Sequence, residues 1–92
     1  MRRPLVRSQA FVRAAKRLVK KSSYVAEDLR GALARLAEDA YQPGLRAHKL
    51  KSDLDGLWAC RVGYDQRIVF SFVEQDGGEV ILLRTVGNHD EV

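Results

Sequence analysis

The sequence predicts an α+β domain in which two N-terminal helices pack on a small, mainly antiparallel, four-stranded sheet. Three observations carry this. Apolar residues recur at helical spacing up to about residue 40, they alternate at strand spacing after residue 45, and Pro43-Gly44 divides the two regimes. Helices followed by a meander place the helices on one sheet face. With 92 residues there is length for one core, so residues 1–92 are read as a single domain.

The elements follow in order. Ser8 precedes a run in which Phe11, Ala15, Leu18 and Val19 share one side, which predicts a capped helix over 9–21. Arg13, Lys16, Arg17, Lys20 and Lys21 fall on its other side. A second helix starts near Ser23, carries Val25, Leu29, Ala32, Leu33, Leu36 and Ala40 inward, and stops at Pro43-Gly44. Gly31 weakens it by about 1 kcal/mol against alanine, which points to a close approach there. Strands are expected over 45–50, 58–62, 67–73 and 80–86, with polar turns at 52–56 and 63–66 and a hairpin loop over 74–78. Residues 3–7 are a weaker fifth candidate, held to an edge by Pro4.

Composition narrows the function classes. Hydrophobic residues make up 46% and charged residues 30%, which excludes a disordered chain. The longest aliphatic run is Val80-Ile81-Leu82-Leu83, far short of a membrane span, and the Arg2-Arg3 start leads into no apolar stretch of secretory-signal length. Cys60 stands alone, so an internal disulfide and a cysteine-based zinc site are both excluded, and a reducing cytoplasm is expected. Charge is uneven: residues 1–21 hold eight bases and no acid, while the rest holds eight bases and twelve acids. A polyanion, an acidic protein partner and a merely solvated helix face all fit that block.

The residues able to do chemistry are few. His48 and His89 can supply a base and an acid near neutral pH. Arg61, Arg67 and Arg84 lie on or beside strands, where a guanidinium suits phosphate oxygens. Together they form an inventory for cleaving RNA without a metal or cofactor: one group deprotonates the 2′-OH, another protonates the leaving oxygen, and arginine neutralises the phosphorane. Each of these residues also has an ordinary surface reading. His89-Asp90-Glu91 lacks a second histidine at ligand spacing, so no metal site is expected.

The segment His48-Lys49-Leu50-Lys51, Leu54-Asp55-Gly56-Leu57-Trp58, Arg61 and Arg67-Ile68-Val69-Phe70, ending in Gly87-Asn88-His89, resembles the core of bacterial RelE/ParE-superfamily toxins, closest to the YoeB and YafQ branches. The resemblance implies a RelE-like fold and a toxin of a type II toxin–antitoxin system. It would enter the ribosomal A site, cleave messenger RNA and be blocked by a cognate antitoxin. It also implies catalytic roles for His48 as base, Arg67 as phosphate stabiliser and His89 as acid, the two histidine roles being interchangeable. Arg61, Arg84, Lys49, Lys51, Arg13, Lys16, Arg17 and Lys20 would contact RNA. Several relatives place an aromatic residue after the final histidine, where this sequence has Asp90-Glu91-Val92. Tyr64 lies near the place of a second YafQ histidine and reads either as a hydrogen-bonding substitute or as packing. Trp58 reads as a core anchor. Alternatives on the same scaffold are a ParE-like inhibitor of DNA gyrase and an inactive relative that only binds an antitoxin. The nuclease reading requires His48, Arg67, Arg84 and His89 to converge on one concave basic face.

Overall fold

The computed structural model describes residues 2–51 and 56–88. Strand β1 (Leu5–Arg7) is followed by helices α1 (Gln9–Lys21) and α2 (Ser23–Glu38), then strands β2 (His48–Lys49), β3 (Trp58–Val62), β4 (Gln66–Gln75) and β5 (Gly78–Asn88). The sheet has five strands rather than four, in the order β1-β5-β4-β3-β2. The extra strand is the weak candidate at residues 3–7. It lies parallel to β5 as an edge strand that starts after Pro4, whose carbonyl accepts the Ile81 N–H at 2.9 Å. All other pairings are antiparallel.

Ser8 caps α1 by accepting the Phe11 N–H at 3.1 Å, and its hydroxyl donates to the Arg84 carbonyl, tying the helix start to β5. Helix α2 ends at Glu38, before Pro43. Asp39 is already extended there; its N–H still donates to the Arg35 carbonyl, and the Gln42 side chain adds second bonds to the Arg35 and Asp39 carbonyls. Pro43–Leu45 then form a short 3-10 turn that buries Leu45. Gly31 marks no close approach between elements, since an added β-carbon would meet only the Arg35 side chain, at 3.4 Å.

One sheet face takes the helices. Cys60 and Val62 of β3, Ile68 and Phe70 of β4, and Ile81, Leu83 and Val86 of β5 pack against Phe11, Leu29, Ala32 and Leu36. Trp58 extends this core as expected, with its ring centroid 5.4 Å from Phe72 and 5.7 Å from Tyr41. Arg3 closes that end: its guanidinium lies 5.1 Å from the Phe72 centroid and 5.5 Å from that of Tyr41, while Nε pairs with Glu79 at 2.8 Å. The β4–β5 loop is tighter than the expected 74–78. Asp76 and Gly77 alone make the turn, with φ of 52° and 81°, the two-residue geometry that matches strand twist. Among the described residues, no helix is long and apolar enough to cross a membrane.

Candidate functional site

The other sheet face carries the polar chemistry. Residues directly opposite one another across antiparallel strands share a face, and so do residues two apart on a strand. Arg61 on β3 stands directly opposite Arg67 on β4, and His48 on β2 stands opposite Ala59, two residues from Arg61. Hence His48, Arg61 and Arg67 share the face turned away from the helices. The partner of Arg67 on β5 is Gly87, which adds no side chain to that row.

These three line one cleft of about 700 Å³ together with Arg46, Tyr64, Asp65 and Gln66, over Cys60. Asp65 is the one acid among the described lining residues, beside three arginines. Like charges directly opposite on a sheet are unfavourable by some tenths of a kcal/mol, and a ligand anion reverses the sign of that interaction. The Arg61–Arg67 pair thus brings two guanidinium groups together at one cleft.

His48 is held by its backbone surroundings. Arg46 adopts the left-handed conformation (φ 51°, ψ 43°), which is uncommon for a residue with a side chain, so the strand expected over 45–50 begins only at His48. The Arg46 carbonyl then lies 3.0 Å from His48 Nδ1. A carbonyl only accepts, so Nδ1 carries the hydrogen and, in the neutral ring, Nε2 is left as the basic nitrogen. Arg61 donates from Nε to the Gly63 carbonyl at 3.1 Å, which folds it against the β3–β4 turn.

Other expected site residues lie elsewhere. Lys49 points to the opposite face, with Nζ 5.9 Å from the Trp58 centroid, and Lys51 is exposed beyond β2. Arg84 is exposed on β5 at a bulge: Val69 pairs with Thr85 and Phe70 with Leu83, so Arg84 is passed over, and it is not among the lining residues. Arg13, Lys16, Arg17 and Lys20 are exposed on α1, where the last three border a separate shallow groove with Ala15 and Val19. His89 lies outside the described residues. Cys60 is buried, and burial pushes its thiol up to about 12, so it serves packing and not nucleophilic chemistry. Among the described residues, no cluster of three His, Cys, Asp or Glu side chains suits a metal ion.

Sequence reasoning missed Arg46, whose contribution comes from its backbone. The nearest signal is its position between the Pro43-Gly44 turn and His48. The packing reading of Tyr64 is corrected, because that side chain is 91% exposed.

No protein-family model matches the sequence, and no curated protein matches it. Solved structures do. The YafQ–DinJ toxin–antitoxin complex of E. coli aligns over 100% of this chain and 98% of that chain, with a TM-score of 0.76 and 15% identity. A YoeB/ParE toxin from Agrobacterium tumefaciens aligns over 94% and 98%, with a TM-score of 0.75 and 14% identity. This is the RelE/ParE toxin fold. A metal-bound toxin from Helicobacter pylori shares it over 97% of both chains, at a TM-score of 0.69 and 25% identity. Within the RelE/ParE fold of this chain, the cleft occupies the open sheet face and the cationic helix α1 lies on the covered one.

Proposed function

We propose that this chain is the toxin of a type II toxin–antitoxin system and that it cleaves messenger RNA on the ribosome by acid–base chemistry. The observation that carries the reading is the convergence of His48, with Nε2 as its basic nitrogen, and the opposed Arg61–Arg67 pair in one cleft. His48 Nε2 takes the proton of a ribose 2′-OH, and the 2′ oxygen attacks the neighbouring phosphorus. Arg67 and Arg61 neutralise the charge that builds on the equatorial oxygens. The P–O5′ bond breaks, and the leaving oxygen receives a proton from His89, the role its motif position gives it. The products are a 2′,3′-cyclic phosphate and a 5′-hydroxyl. Arg84, Lys51 and the basic face of α1 supply further contacts to RNA, salt-sensitive as phosphate contacts are. The same basic N-terminal third suits an acidic antitoxin segment.

The test is primer extension on translated messages after induction, for the wild type and for His48→Ala and Arg67→Ala. The wild type is expected to produce discrete breaks. Arg67→Ala should lower cleavage by about 10²–10³-fold and His48→Ala by about 10²–10⁴-fold, with both variants still showing a cooperative unfolding transition. Breaks of undiminished intensity in both variants would overturn the catalytic assignment. Growth arrest without any breaks would move the activity to another target, gyrase first.

A further inference from the structure

We infer that the ring of Tyr64 is a stacking platform for the nucleobase next to the phosphate held by Arg61 and Arg67. This rests on the ribonuclease reading and adds a base-binding subsite to it. Tyr64 is the most exposed of the large hydrophobic side chains, at 91%, although it borders the cleft. An aromatic ring left in water at the mouth of a cationic cleft contributes nothing to the core, and every nucleobase offers a π-face to cover it.

The turn that carries the ring is fixed from both sides. Gly63 has φ 57°, and a β-carbon there would lie 2.6 Å from Asp28 Oδ2, so the turn seats directly on α2. From the strand side, Arg61 Nε holds the Gly63 carbonyl at 3.1 Å. The guanidinium of Arg61 thus lies at the base of the turn whose next residue is Tyr64. On this proposal a phosphate on the Arg61–Arg67 pair and a base on the Tyr64 ring belong to one nucleotide step. Gln66 and Asp65, which hydrogen-bond to each other at 3.1 Å, border the same cleft and offer polar edges to a base lying there.

The experiment measures binding of a short single-stranded RNA, made uncleavable by a 2′-deoxy residue at the reacting position, to the full chain. Wild type, Tyr64→Phe, Tyr64→Leu and Arg67→Ala are compared, with RNAs carrying an abasic residue at each position in turn. Tyr64→Phe should bind within about twofold of wild type, because the ring face remains. Tyr64→Leu should bind about 5- to 150-fold more weakly. One abasic position should weaken the wild type by a similar factor and Tyr64→Leu hardly further, as expected for two partners of one contact. Full-affinity binding by Tyr64→Leu, or equal sensitivity of wild type and Tyr64→Leu at every abasic position, would overturn the platform. If Arg67→Ala alone loses affinity, the platform falls and the phosphate site stands. If Arg67→Ala binds like the wild type, the ribonuclease reading fails with it.

Discussion

The two faces of the central sheet are built from the same strands and differ in almost every other respect. On β3 and β4 the residues that point toward the helices are Cys60, Val62, Ile68 and Phe70, all buried. Their immediate neighbours Arg61 and Arg67 stand directly opposite each other on the other face and line a cleft. A shift of one residue along a strand therefore separates the core from the cationic site, as the period of two requires. Stability is concentrated on the first face. The second carries two arginines directly opposite each other at the cleft.

The largest expected effect tests that division of labour from the core side. Phe70 is fully buried and sits between Trp58 and Phe72 at centroid distances of 6.4 and 5.5 Å. Phe70→Ala should destabilise the chain by about 3–5 kcal/mol, the range for a buried phenylalanine. Tyr64→Ala, on the exposed turn beside the cleft, should stay within about 0.5 kcal/mol of wild type. Chemical denaturation of both variants makes the comparison. Equal losses would mean that the open face contributes to stability as the covered face does.

A second effect follows from Cys60, one residue from Arg61 and on the opposite face. Burial raises its thiol from the ordinary value of 9.0 to about 12. The unfolded chain then loses this proton at a lower pH than the folded chain does, so between these values the folded state binds more protons. Stability from this group is present below pH 9 and falls as pH rises toward 12. Denaturation midpoints of wild type and Cys60→Ala across pH 8–11 should converge with rising pH, a difference that cancels the lysines and tyrosines common to both. Parallel curves would show that the thiol is not protected by the core.

How far the sequence revealed this arrangement depends on the kind of information each residue carries. The two helices, the antiparallel strands and the inward set from Phe11 to Val86 are written in periodicity, which is local. The edge strand β1 was weak because its partner, β5, is more than seventy residues away, and because Pro4 looks unfavourable until the strand is seen to begin after it, at the sheet edge. The motif around His48, Arg61 and Arg67 named three residues that border one cleft, and the alternation of β3 put Arg61 opposite the core. What the sequence could not carry was register. Only pairing decides that Arg61 faces Arg67, that Arg84 falls at a bulge, and that Lys49 lies over Trp58 while its neighbour His48 borders the cleft. Arg46 was invisible for a different reason: its contribution is a carbonyl aimed by a left-handed backbone.

The smallest expected effect bears on the open face alone. If the Arg61–Arg67 pair is an anion site, removing one charge should relieve repulsion in the free protein. Arg61→Gln and Arg61→Lys both disturb the bond from Nε to the Gly63 carbonyl, so the difference between them reads the charge. At low ionic strength Arg61→Gln should be more stable than Arg61→Lys by about 0.2–1 kcal/mol. In 1 M sodium chloride, where the screening length falls to about 3 Å, that gap should close. Millimolar inorganic phosphate should close it too, by binding the variant that keeps both charges and raising its stability by mass action. A gap of the same size with and without phosphate would mean that the two cations tolerate each other without needing an anion, and the central feature of the cleft would lose its reason.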